Sequence, residues 1–337
     1  MMNRATKTIG LLMMTLGLVM PAKCLATGAS FTIVTGKAEG VYYALGTALA
    51  KALSEGLSDV SITVRPGSTA RVNLGMLHSA KIESAFVRSS TAHQAFNGTD
   101  QFTETPIANI RGIASLYPDA VQIVTRPRAN IKALKDLGGK IVIMGEIASS
   151  TALDAGNILK AAGMNLESLG RIEWVASSDA ARMIRTDIAD VAFLSSSIPS
   201  ATVMELCTDT PVAILGLEDA LIRKIVETYP FYAMMAIPAD TYVGQTRPVK
   251  TVGAMAQWVC GAEVPEDLVY QLTRALWAPV SSPSAGNDEN PMPAAAVRVA
   301  WAHVKGTDLA LETALNAMAI PLHPGAERFY REKGLVK

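Results

Sequence analysis

Two copies of one unit, a short β-rich run delivered through glycine into a helical pattern, constrain the fold of this 337-residue chain more than anything else in it. The first copy runs over residues 31–35, breaks at Gly36 and Gly40, and resumes with Leu45, Leu49 and Leu53 on one helical face. The second has an apolar strand at 140–145, a loop at 146–151 and a helix carrying Leu153, Ile158 and Leu159. Two further runs, 84–90 and 190–197, deliver strands into serines. Ser89 and Ser195 lie 106 residues apart and Gly36 and Gly145 lie 109 apart, so equivalent units recur in the same order at nearly the same spacing. That pattern predicts two α/β lobes of similar design, with mostly parallel sheets whose ligands sit at the carboxyl ends of the strands. A helix that starts straight after a strand turns its free N–H groups and positive dipole end toward the loop, which suits an anion.

The rest of the chain extends the plan. A strand at 60–64 ends in Arg65-Pro66-Gly67-Ser68-Thr69, before a helix whose apolar face is Val72, Leu74, Met76 and Leu77. A new region is expected to begin at Ile110. Residues 219–229 form an amphipathic helix stopped at Tyr229-Pro230, and β-like runs follow at 231–237 and 252–260. Pro265 stands in the first turn of a helix that turns Leu268, Val269, Leu272 and Leu276 inward. Residues 281–293 are turn formers, a surface loop; the chain then reads as helical up to Met318, with a last helix at 326–333.

Half of the residues are hydrophobic, enough for a large core divided between two domains. Lys+Arg and Asp+Glu are both 30, so no basic excess points to nucleic acid. Arg4 and Lys7 precede an apolar run over 9–20 that exits through Pro21 and Cys24-Leu25-Ala26. This is the pattern of a signal peptide, residues 1–26, and the run is short of the roughly 20 residues a membrane span needs. A soluble periplasmic protein is expected. Cys207 and Cys260 remain, either as a disulfide or as two buried thiols.

Enzyme motifs fail in turn. There is no His-Glu-x-x-His, and the four histidines have no metal-ligand spacing. No Gly-x-Ser-x-Gly surrounds a serine, Gly36 and Gly40 miss the dinucleotide spacing, and Gly138-Gly139-Lys140 is followed by Ile141 where a phosphate loop needs Ser or Thr. No catalytic residue, metal or cofactor is therefore expected. What remains is a set of hydroxyl- and glycine-rich strand ends, which either recognise a carboxylate or cap helices, and can do both.

A set of longer motifs runs along the chain: Thr35-Gly-x-x-x-Gly-Val-Tyr-Tyr-x-x-Gly46, the strand end Phe86-Val-x-Ser89, Ala114-Ser-Leu-Tyr-Pro118 with Val121-Gln-Ile-Val124, Tyr229-Pro-Phe-Tyr232 and Ile237-Pro-Ala-x-Thr-Tyr242. Val264-Pro-Glu-Asp-Leu-Val269 and Ile320-Pro-Leu-His-Pro-Gly-Ala-Glu-Arg-Phe-Tyr-Arg-Glu-Lys-Gly334 complete it. Together these motifs resemble the TAXI proteins, the TRAP-associated extracytoplasmic immunogenic solute receptors. The resemblance implies a type II-like periplasmic-binding-protein fold, an α/β architecture with a ligand cleft between two lobes, the first made of residues 27–118 and 240–337 and the second of 119–239. It implies a monomeric, non-catalytic receptor that delivers a small organic acid or a glutamate-like amino acid to an ion-coupled TRAP permease. The alternative on the same fold is a sensory module that signals to a membrane protein.

Carried over by position, the ligand loops are Glu39, Gly40, Val41, Tyr42 and Tyr43, then Gly67 and Ser68, then Arg88 and Ser89. In the second lobe they are Ser149, Ser150 and Thr151, with Leu194 and Ser195. Tyr117 and Tyr232 are further candidate walls. The chain departs from the family's Thr-Gly-Gly-Thr-Gly-Gly loop at Lys37, Ala38 and Glu39, and from Gln-Ser-Asp at Arg88-Ser89-Ser90. Arginine clamps a carboxylate with two parallel bonds. Arg88 therefore either binds the ligand's acid group or pairs internally with Glu39.

Overall fold

The computed structural model describes residues 29–278 and 308–337. The signal peptide expected at 1–26 and the loop expected at 281–293 lie outside them. In chain order the elements are β1 (Ala29–Val34), α1 (Val41–Gly56), β2 (Val60–Arg65), α2 (Ala70–His78), β3 (Ser84–Arg88), α3 (Ser89–Asn97) and the long β4 (Ile110–Thr125). Then follow β5 (Ile141–Ile143), α4 (Ser150–Ala161), β6 (Arg171–Glu173), α5 (Ser177–Arg185), β7 (Val191–Ser196), α6 (Ala201–Asp209), β8 (Ala213–Leu215) and α7 (Asp219–Thr228). The chain closes with β9 (Ala233–Ile237), β10 (Val249–Gly261), α8 (Glu266–Leu276) and α9 (Pro324–Glu332).

The strands run in the order β2-β1-β3-β10-β4-β7-β5-β6, with β8 beside β4 and β9 beside β10. At one end β1 pairs parallel with β2 and β3; at the other β5 pairs parallel with β6 and β7. Antiparallel β4 and β10 join the two halves, paired from Ile110 opposite Gly261 to Ala120 opposite Gly253 with register shifts between Ala256 and Gln257 and between Trp258 and Val259. Residue Ile110 therefore opens no new region: one strand leaves the first lobe and enters the second unbroken.

Each half-sheet is covered on both faces, so its strands are apolar on both sides. Ile33 and Phe86 face one cluster with Leu45, Leu49 and Leu53 of α1, while Val34 and Val87 face the other with Leu74 and Leu77 of α2. In the second lobe Ile123 and Phe193 pack with Ile158 and Ile225, while Val124 and Ala192 pack with Ile184 and Leu206. Trp258 on β10 anchors the first core, edge-on to Phe31 and Phe86 with its indole N–H donated to the Ser84 hydroxyl at 3.0 Å.

The clusters move one expected boundary. Tyr242, Val249, Val252 and Ala254 pack with the second lobe, whereas Ala256 and Trp258 pack with the first. The chain thus returns within β10, not at residue 240, because β9 and the start of β10 form a hairpin on the second lobe before the long strand crosses. Three smaller expectations also change. Val72 is half exposed, and α2 turns Asn73 inward instead. Pro265 is the N-cap of α8 and not part of its first turn. Residues 308–318 form a short 3-10 helix and hydrogen-bonded turns, with the carbonyls of Ala314, Asn316 and Ala317 bonded to Ser115 and Gln257 instead of continuing a helix. Cys207 and Cys260 are free thiols, the second fully buried on β10.

Candidate ligand cleft

β3 ends at Arg88, which is extended and caps α3 with its backbone. The next residue, Ser89, is buried; its hydroxyl donates to the Phe231 carbonyl at 2.8 Å and accepts the Met255 N–H at 3.0 Å. Ser89 thereby ties α3 to the crossing strand and to the second lobe.

Arg88 reaches across the lobes to Asp154 on α4. Nη1 and Nη2 meet the two carboxylate oxygens at 3.0 and 2.6 Å, and Nε lies 3.9 Å from Asp119. Asp154 is fully buried and also accepts the hydroxyls of Ser195 at 2.5 Å and Tyr232 at 2.6 Å. Burial opposes the guanidinium's charge, but Asp154 and Asp119 outweigh it and hold the group firmly protonated. Burial also pushes the Tyr232 phenol up, with Asp154 adding to the shift. The internal partner of Arg88 is not the expected Glu39, which is exposed, but Asp154, whose carboxylate stands on the guanidinium. Asp154 was legible in part, since it lies four residues before Ile158 and so falls on the inward face of α4.

The first-lobe loops are stitched to one another. Gly67 N–H donates to Gly36 O at 2.9 Å, and the Asn73 side chain bonds Thr35 O and Ser68 N–H. A Cβ at Gly67 would stand 2.2 Å from Thr35 O, so this glycine is required by close backbone approach. Tyr42 sits edge-on to Phe86 and Tyr117, its phenol pushed up by burial and by nearby Asp119. Gly40 caps α1 by its backbone alone, Val41 is exposed, and Tyr43 is half-buried.

A cleft of about 700 Å³ opens between the lobes where α3 faces the start of α4. Ser90, Thr91 and Gln94 form one wall, Ser149, Ser150 and Leu153 the other, with Ile147 and Trp174 at the side and Asp100 and Gln101 beyond α3. Ser149 and Ser150 alone of the expected contact residues line it. Ser149 also caps α4, accepting the Ala152 N–H at 3.1 Å. Thr151 accepts the Ser195 N–H at 3.3 Å, and Leu194 is packed in the core of the second lobe. Gln94, Thr91 and Trp174 were not anticipated. Among the described residues no group of His, Cys, Asp and Glu could hold a metal ion, and no helix is long and apolar enough to cross a membrane.

The model of the NMT1-like family matches residues 33–334. The chain belongs to the NMT1-like family. Its fold is also found in solved structures of low sequence identity. The putative periplasmic sulfonate-binding protein SsuA of Methylobacillus flagellatus aligns with a TM-score of 0.53 at 14% identity, covering 92% of this chain and 96% of that one. A TctC solute binding protein from Polaromonas gives 0.51 at 15%, covering 74% and 83%. The periplasmic aliphatic sulphonate binding protein SsuA of Escherichia coli gives 0.50 at 13%, covering 90% and 83%. This NMT1-like chain thus has the two-lobe α/β fold of periplasmic binding proteins, and the Arg88–Asp154 pair lies where its two lobes meet.

Proposed function

We propose that this NMT1-like protein is a non-catalytic extracytoplasmic solute receptor, whose lobes close on a small organic acid or amino acid and present it to a membrane permease. The observation that carries this reading is the inter-lobe cleft walled by the starts of two helices, α3 and α4. Helix starts hold an anionic group by hydrogen bonding without reacting with it. Among the described residues β4 and β10 are the strands that pair across the junction, an arrangement suited to hinge closure. The TAXI-like motifs support an ion-coupled TRAP permease as the partner, a monomeric receptor and export to the periplasm. On this proposal Ser149 and Ser150 touch the solute, and Arg88 acts through Asp154 to close the lobes.

A thermal-shift screen of organic and amino acids tests the proposal. Saturable stabilisation is expected, reaching about 2.7 kcal/mol when ligand is a hundredfold above its Kd. A broad anionic and zwitterionic panel with no stabilising member would overturn it.

A further inference from the structure

Hinge motion meets an electrostatic obstacle at this junction. Arg88 and Asp154 belong to different lobes, yet both are buried, and the guanidinium meets the two carboxylate oxygens at 3.0 and 2.6 Å. Parting the lobes draws the two groups apart, and a buried charge that loses its counter-ion is strongly disfavoured. The two members of the pair differ in what they keep. Asp154 retains donors from its own lobe, the Ser195 hydroxyl on β7 and the Tyr232 hydroxyl, which in turn accepts an N–H from Asn157 on α4. Among the described residues the Arg88 side chain has one other hydrogen bond, from Nη1 to the Ser90 hydroxyl at 3.3 Å, and its buried Nε–H has no acceptor.

Asp119 stands beside that orphaned N–H. One of its carboxylate oxygens lies 3.9 Å from Arg88 Nε, too long for a hydrogen bond and within reach of a small side-chain rotation. Asp119 is on β4 opposite Ala254, between Tyr117 of the first core and Val121 of the second, so it sits at the crossing itself. Arg88 lies next to the same crossing, paired through β3 with Ala256 on β10. A hinge rotation displaces atoms least at its axis, so it changes the Arg88 to Asp119 separation far less than that between Arg88 and Asp154. The Asp119 side chain is 23% exposed and remains hydrated with or without the guanidinium on it.

We propose that Arg88 exchanges carboxylates as the hinge works: Asp154 holds it when the lobes are together, and Asp119 takes it over through Nε when they part. The cation keeps a partner throughout, and the lobes pass between two paired arrangements instead of breaking a pair outright. The relative strength of the two carboxylates then sets how readily the cleft opens. The inference rests on the hinge motion of the proposed receptor and names the groups that balance it.

Distances between spin labels on the two lobes, read by pulsed electron resonance without added solute, test it. The labels go on exposed positions of α1 and α4 in Lys51→Cys/Lys160→Cys protein, with Cys207→Ser removing the half-buried thiol. Asp154→Asn should raise the population with the lobes apart at least about tenfold. Adding Asp119→Asn should reverse that shift, with unchanged circular dichroism throughout. If Asp154→Asn does not fold, Arg88→Lys takes its place, since lysine loses the two-pronged bond to Asp154 and keeps a charge for Asp119. A distribution that Asp119→Asn leaves unmoved in the opened background, or drives further apart, would overturn the exchange. One lobe distance shared by every variant would overturn it too. The thermal-shift screen separates this from the receptor reading: a stabilising solute with an unmoved Asp119→Asn distribution keeps the receptor and discards the exchange, whereas reversal by Asp119→Asn with no stabilising solute does the opposite.

Discussion

At Asp154 four donor contacts converge on one buried carboxylate, two from Arg88 and one each from Ser195 and Tyr232. Removing it leaves a buried guanidinium without its main counter-ion, so Asp154→Ala should destabilise the protein by about 3–5 kcal/mol in denaturant titration. Ser195→Ala removes one neutral donor and should cost about 1 kcal/mol. The Arg88→Met/Asp154→Leu double variant should be less destabilised than Asp154→Ala, because no buried charge then lacks a partner. An equal loss in both would show that packing, not charge, dominates. His323 provides a pH test. It is buried, with Nε2 donating to Val264 O and Nδ1 accepting the Gly325 N–H that starts α9, roles that only the neutral imidazole can fill together. Burial lowers its pKa. The unfolded chain therefore binds the proton more readily, so stability is level above about pH 6.5 and falls as pH drops below it. His323→Asn keeps a capping acceptor without the titration and should flatten that part of the melting-temperature profile; an unchanged slope would contradict the assignment.

Among the elements, the crossing pair β4 and β10 bears most on the two-lobe form. Gly253 sits where the strands part, and a Cβ there would stand 2.5 Å from Asp119 O and 2.8 Å from the Ala120 Cα. Both obstacles are backbone, so Gly253→Ala should cost about 1–3 kcal/mol in urea unfolding, whereas Gly75→Ala, with open space around it, should be close to neutral. The β1–α1 unit and the strand ends at Ser89 and Ser195 were legible in the sequence because strand and helix periodicities are local. Ser89 and Ser90 begin α3 and do not extend β3, since capping is decided by one or two dihedrals at the boundary. Residues 308–318 misled for another reason: their carbonyls are taken by β4 and β10, contacts about 200 and 60 residues away that no local pattern reveals. Arg88 stood out in the sequence, yet its partner lies 66 residues along the chain in the other lobe.

For the whole molecule, the repeat spacing already implied two lobes, while the return crossing was hidden because β10 is buried without a break from Thr251 onward and belongs to both cores. An ion pair, a serine and two strands join the lobes beside an open cleft, the geometry on which the proposal of closure over a small molecule rests. The family found is NMT1-like, matched over residues 33–334, on a fold shared with periplasmic binding proteins; the comparisons support that coarser reading and do not single out the TAXI receptors that the motifs resemble. Direct titration of amino and organic acids into the purified protein, with the bound molecule then extracted and analysed, decides whether it is a receptor. One molecule should be taken up per chain and recovered unchanged. A chemically altered molecule, or no saturable uptake of any compound, would contradict it.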